Sequence, residues 1–249
     1  MIKFFTIALS AVSIALNAQN PFNFTISGEL KNAPENSYTY IHHKWDGKDF
    51  TDSVKVKATK FNFTGKGKEA NMYWLTRSRN MSEQPNLVFF IDGGKTTITA
   101  HIDSLPKAKV TGGPTQKDYN DYNEMMFGFG GKQQAIVNAY NEAKNKGDAA
   151  TMNEKVAEYK EMETEVKQSI ENFIKSHPKS AVSGYAIYYN NQNSTAPVEE
   201  LERVVALLDK SVLNTKYGKL AQEKINQIRG TTIGYPALNF TQADPNGKM

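Results

Sequence analysis

The chain has 249 residues, a net charge of +4 and no cysteine. The length suits one large domain or two small ones, and the mild, evenly spread basic charge fits an ordinary solvated surface rather than a nucleic-acid footprint. The missing cysteines exclude a disulfide framework, a thiol nucleophile, a thiolate metal site and a Cys-x-x-Cys redox pair.

Residues 1–19 combine Lys3 with an apolar run from Phe4 to Leu16, too short to span a bilayer with ease, and end on the small residue Ala18 before Gln19. The pattern predicts a cleaved secretory signal over 1–18, cut between Ala18 and Gln19. The product would be exported to the periplasm or outer envelope. No later stretch predicts a transmembrane anchor.

From Phe22 the pattern has period two. Phe22, Phe24, Ile26 and Leu30 alternate with polar residues, which predicts a half-buried strand. Strands follow at Ser37–Trp45, Phe50–Ala58, Lys60–Gly65 and Asn71–Arg79, with Asp46-Gly47 as a hairpin turn and Gly65-Lys66-Gly67-Lys68 as an exposed loop. Leu87–Asp103 reads as a hairpin folded about Gly93-Gly94. That fold would set Ile91 opposite Thr96, Phe89 opposite Ile98 and Leu87 opposite Ala100, with Leu87, Phe89, Ile91, Ile98, Ala100 and Ile102 on a core face. Val88 and Phe90 would point the other way. Ala108–Thr111 completes about eight short strands, the pattern of a β-sandwich over 19–113.

After Gly112-Gly113-Pro114 the apolar spacing becomes three and four. Thr115–Met126 is predicted helical, interrupted by Gly128, Gly130 and Gly131, with Lys132–Lys146 resuming. Asp148 is a good N-cap for a long helix to about Ser176, whose stripe Met152, Val156, Tyr159, Met162, Val166, Ile170 and Phe173 predicts a helix–helix seam, within the chain or against a second copy. Its Glu- and Lys-rich outer face is a solvated one. Shorter helices follow at Ser180–Tyr189, Val198–Leu213 and Tyr217–Ile228, closing a helical domain over 114–230. The expected fold class is therefore α+β: an N-terminal antiparallel β-sandwich followed by a helical segment.

No set of residues carries chemistry by itself. His42 and His43 are adjacent on a strand and face opposite ways, so they cannot jointly hold a metal. His101 and His177 stand apart, and there is no Gly-x-Ser-x-Gly elbow. No catalytic residue, cofactor or metal ligand is assigned. Tyr38, Tyr40, Trp45, Tyr73 and Trp74 offer an aromatic β-face that could stack on sugars, or serve as sandwich core and rim. Asp52-Ser53-Val54 and Asp103-Ser104-Leu105 resemble the Asp-Ser/Thr-aliphatic pattern of bacterial O-glycosylation, which makes Ser53 and Ser104 candidate modification sites.

Three stretches together resemble a known family: Ile26-Ser-Gly-Glu-Leu30 leading into Asn32, Phe173-Ile-Lys-Ser-His-Pro-Lys-Ser180, and Ile233-Gly-Tyr-Pro-Ala-Leu-Asn-Phe240 through Asp244-Pro-Asn-Gly-Lys248. They are similar to the N-terminal half of Bacteroidetes-type TlpA-like thiol-disulfide oxidoreductases. In these an uncharacterised β-sandwich domain and helices precede a thioredoxin-like domain. The resemblance implies that residues 231–249 lead into such a domain. It also implies a non-catalytic accessory role, positioning the redox domain or contacting an envelope partner, with homodimerisation as one arrangement. The family's Trp-Cys-x-x-Cys has no matching position, so no catalytic residue is carried over. The chain is then expected to be a fragment, a natural truncation or a stand-alone accessory module. The alternative expectation is an envelope module that binds a glycan or peptide.

Overall fold

The computed structural model describes residues 21–192 and 196–231. The signal cut at Ala18–Gln19 and the stretch 233–248 lie outside these described residues. The fold is α+β, and eight strands precede the helices as their alternation predicts.

The strands are β1 (Phe22–Lys31), β2 (Tyr38–Trp45), β3 (Lys48–Lys55), β4 (Lys60–Gly67), β5 (Asn71–Thr76), β6 (Leu87–Ile91), β7 (Gly94–His101) and β8 (Lys109–Thr111). They form two four-stranded sheets, ordered β4-β1-β7-β8 and β3-β2-β5-β6. The sheets bury one shared core: Phe24, Ile26, Phe63 and Ile98 come from the first, and Ile41, Leu75, Phe89 and Ile91 from the second. Asp46 and Gly47 both have positive φ, and they close the predicted β2–β3 hairpin.

The Gly93-Gly94 hairpin does not form. β6 pairs with β5, whereas β7 pairs in parallel with β1, Phe24 lying opposite Gly94. The two glycines, at φ 121° and 63°, carry the chain from one sheet to the other. The predicted core face survives, because Leu87, Phe89 and Ile91 meet Ile98 and Ala100 across the sandwich instead of alongside them. Strand alternation fixes which side chains point inward and says nothing about whether two inward faces share a sheet. β1–β7 also makes the first sheet mixed rather than wholly antiparallel.

Six helices follow among the described residues: α1 (Pro114–Lys146), α2 (Ala149–Ser176), α3 (Ala181–Asn190), α4 (Val198–Val205), α5 (Lys210–Leu213) and α6 (Lys216–Thr231). α1 is continuous through Gly128, Gly130 and Gly131, about 50 Å at 1.5 Å per residue. All three glycines are solvent-exposed, and Ile136 and Ala143 on α1 are buried while α1 pairs with α2, so packing carries the helix over its weak stretch. Gly147, left-handed at φ 69°, ends α1; the Asp148 carboxylate accepts the Thr151 N–H at 3.1 Å and starts α2 as expected. The α2 stripe closes within the chain at its root, where Ile170 and Phe173 join the helical core; near the tip Val156 is exposed. No helix among the described residues is long and apolar enough to cross a membrane.

The sandwich and the helices share packing. Phe90, on the outward face of edge strand β6, is fully buried in the helical core, with its ring 4.9 Å from Tyr119, 5.6 Å from Tyr185 and 5.7 Å from Tyr217. Gln116, also buried, accepts the Phe90 backbone N–H at 2.6 Å, and Asn120 donates to the Val110 carbonyl at 3.0 Å. Side-chain amides of α1 thus occupy the open edges of β6 and β8, which would otherwise present unpaired backbone groups.

Candidate functional site

A hollow of about 480 Å³ between α2, α3 and α4 is lined by Ile170, Glu171, Ile187, Leu201 and Arg203. Its charges are already matched: Arg203 grips Glu171 with two bonds of 2.8 Å, Lys175 adds a third contact at 2.7 Å, and Lys167 faces Glu200. These ion pairs hold the Glu171 carboxyl well below its ordinary range. Such a self-satisfied set leaves a ligand little to engage.

The chemistry lies instead at one end of the sandwich, where the β2–β3 hairpin, the β4–β5 connection and the start of α6 meet. Two adjoining hollows of about 200 and 340 Å³ share Trp45 and Glu69 as a common wall. The smaller is lined by His43, Phe50, Lys66, Lys68, Asn71 and Tyr73; the larger by Asp46, Lys216, Lys219 and Glu223.

The floor is a cross-linked polar set that joins residues about 145 positions apart. The Lys216 ammonium donates to the Lys44 carbonyl and to Asn71 Oδ1, both at 2.8 Å. Asn71, buried, donates to the same Lys44 carbonyl at 3.1 Å. Glu69 accepts the Lys216 backbone N–H with both oxygens, at 3.1 and 3.2 Å, so a carboxylate of the sandwich caps the N-terminus of α6. Burial pushes the Lys216 amine down and the Glu69 carboxyl up from their ordinary values.

The wall is aromatic. His43 is stacked on Phe50 at 5.0 Å and tilted against Tyr73 at 4.8 Å. Burial, helped by the nearby Lys216 charge, lowers the His43 pKa, so the ring is neutral at pH 7 with one donor and one acceptor nitrogen. Burial pushes the Tyr73 phenol up to about 12, keeping its hydroxyl a donor. Among the described residues, neither the His43 ring nitrogens, nor the Tyr73 hydroxyl, nor the Trp45 indole N–H has a hydrogen-bond partner. Three aromatic residues that carry polar groups therefore line one hollow, and those groups have their bonding capacity unspent. The arrangement can hold a planar or ring-shaped polar molecule by stacking and hydrogen bonds.

Only part of this was legible as a site. Of the five aromatics named from sequence, Trp45 and Tyr73 come together at the hollow. Tyr38, Tyr40 and Trp74 lie on the opposite face of the same sheet, as the registers Tyr40↔Thr76 and His42↔Trp74 require. A single five-membered aromatic face is thus corrected: alternation sends odd and even positions to opposite sides. His42 and His43 do face apart; His42 is buried between Thr51 and Thr76 at 2.9 and 2.8 Å. In the run 65–68, residues 65–67 end β4 and Lys68 begins the bend toward β5, and the run brings Lys66 and Lys68 to the hollow. Glu69 and Lys216 had no sequence signal, since each acquires its role only from the other. Ser53 is exposed on edge strand β3, with its N–H held by Asp52 at 2.7 Å, and Ser104 is half-buried in the 3₁₀ segment Ile102–Lys107; neither lines the hollow. Among the described residues no three His, Asp or Glu side chains converge to hold a metal ion.

Residues 24–119 match the family model described as Domain of unknown function (DUF4369). That span covers the sandwich from within β1 and runs into α1 as far as Tyr119, so it includes the Gln116 amide that closes the β6 edge. No curated protein matches the chain, and no solved structure does.

Proposed function

We propose that the chain is a non-catalytic recognition module that binds a saccharide at the sandwich end, with Trp45 as the stacking platform and His43 and Tyr73 as hydrogen-bond partners for ring hydroxyls. The observation that carries this reading is that His43, Trp45 and Tyr73 line one hollow while their side-chain polar groups have no hydrogen-bond partner among the described residues. A neutral imidazole both donates and accepts, as does a phenol held in its protonated form, which matches the dual character of sugar hydroxyls. The second hollow, on the far side of Trp45 and Glu69, gives room for a neighbouring ring, so an oligosaccharide rather than a lone sugar is the expected ligand. An exported chain, as residues 1–18 suggest, would meet such glycans in the cell envelope.

Titration of the protein with a panel of tetrasaccharides, followed by calorimetry, tests the proposal. Trp45→Ala should weaken binding at least tenfold, about 1.4 kcal/mol, whereas Trp74→Ala, on the other face, should leave it unchanged. Equal loss from both variants, or no saccharide binding at all, would sink the reading.

A second reading draws on the resemblance over residues 173–180 and 233–248. Here the same module positions a thioredoxin-like redox domain or contacts an envelope partner. The helical core, which takes in Phe90 from the outer face of β6 and so ties the sandwich to the helices, favours it, because a spacer must be stiff to set a distance. Intact mass of the native protein decides: a product longer by a domain, on the order of 100–200 residues, and carrying Cys-x-x-Cys would support it.

A further inference from the structure

The charges around the smaller hollow can be accounted for one by one. Lys44 is paired with Asp49 at 3.3 Å. Lys216 is committed to the Lys44 carbonyl and Asn71, and Glu69 to the α6 N-terminus. Lys66 and Lys68 are left over. Both line the hollow, and among the described residues no carboxylate lies within ion-pairing distance of either. The Lys68 ammonium stands over the Trp45 ring, 5.8 Å from its centre. The same ring is the one a sugar would stack on, so the ammonium and the ligand meet at one surface.

We infer that the ligand is an acidic saccharide, one carrying a carboxylate or sulfate, whose charge is received by Lys66 at the end of β4 and Lys68 in the bend just after it. This rests on the saccharide reading above and deepens it. A neutral sugar seated on Trp45 would displace Lys68 from its ring and give the ammonium nothing in return. An acidic one replaces that cation–π contact with a charge-assisted hydrogen bond, which is the stronger interaction. Lys66 lies two positions before Lys68 and lines the same hollow, so a second ammonium can approach the same acid group. Both lysines are exposed, so each charge contact contributes modestly, and the pair together should favour the acidic ligand by about tenfold at low salt.

The test uses matched pairs: oligogalacturonate against its methyl ester, and a sulfated tetrasaccharide against its desulfated form. Each is titrated into the whole chain at low and at physiological salt. The expected result is about tenfold tighter binding of the acidic member, shrinking with salt, with Lys66→Gln/Lys68→Gln closing the gap between the two. If neutral and acidic members bind alike, or the gap persists in the double variant, the acidic inference is overturned while the saccharide reading stands. If no member of any pair binds, both fall together.

Discussion

Replacing Phe90 with alanine should separate two structures that the native chain folds as one. The ring is fully buried on the outward face of β6, within 4.9–5.7 Å of the Tyr119, Tyr185 and Tyr217 rings. Phenylalanine-to-alanine changes at such sites cost about 3–5 kcal/mol, the sum of lost transfer energy and the cavity left behind. Here the cavity would open between the sandwich and the helices, so the loss falls on their coupling and not on either core alone. The chain supplies its own reporters. Both tryptophans, Trp45 and Trp74, sit on sandwich strands, so their fluorescence follows the β-structure, while ellipticity at helix wavelengths follows α1–α6. In urea, the native protein should show coincident transitions by the two probes. Phe90→Ala should lower both midpoints and pull them apart, with the helical signal lost first. Phe127→Ala, which removes a ring 85% exposed on α1, should change stability by less than about 0.5 kcal/mol. A Phe90→Ala protein within about 1 kcal/mol of native, or a native protein whose probes already disagree, would refute the idea that Phe90 joins the two parts.

Two further outcomes follow from the helices and the buried phenols. A Cβ added at Gly128, Gly130 or Gly131 meets nothing within 4 Å, so alanine at each should raise stability by about 0.5–1 kcal/mol, read from the urea midpoint; a loss would mean that the glycines serve a bent or open form of α1. Burial raises the phenol pKa of Tyr73, Tyr119, Tyr122, Tyr185 and Tyr217 above 10. A raised folded-state value favours the protonated native form, so this stability is fully present below pH 10 and is lost as pH climbs through the folded values, about 12 for Tyr73. Absorbance titration at phenolate wavelengths should show five of the twelve tyrosines ionising late and together with loss of structure; smooth titration of all twelve near pH 10 would contradict the burial.

The sequence carried the architecture well where one local rule decides it. Alternation placed the strands and their core faces, Asp46-Gly47 announced its turn, and Asp148 announced the start of α2. It misled where the deciding partner lies elsewhere in the chain. Gly93-Gly94 has the composition of a hairpin turn, yet Leu87–Ile91 finds its hydrogen bonds on β5 and Gly94–His101 on β1. The turn at Ala58-Thr59, with both residues at positive φ, was invisible because neither residue type favours that conformation; the Lys57↔Lys60 pairing imposes it. The glycines of α1 look like a break until α2 lies alongside.

The same contrast explains why the site was only half visible. Trp45 and Tyr73 stand out in any reading as large aromatics on strands. What makes them a site is that their polar tips stay unpaired, and a sequence does not disclose an unmade bond. The floor beneath them is stranger still to a linear reading, since Glu69 ends a lysine-rich turn and Lys216 opens a short helix about 145 residues later. Each alone is an ordinary surface charge. Brought together, the carboxylate caps the helix and the ammonium ties down the Lys44 carbonyl, which fixes the backbone that carries His43 and Trp45. The hollow is therefore complete only when α6 is docked on the sandwich. A β-domain cut off at Thr111 would keep the rings and lose the Lys216 ammonium that helps set their positions, so the hollow belongs to the two parts jointly.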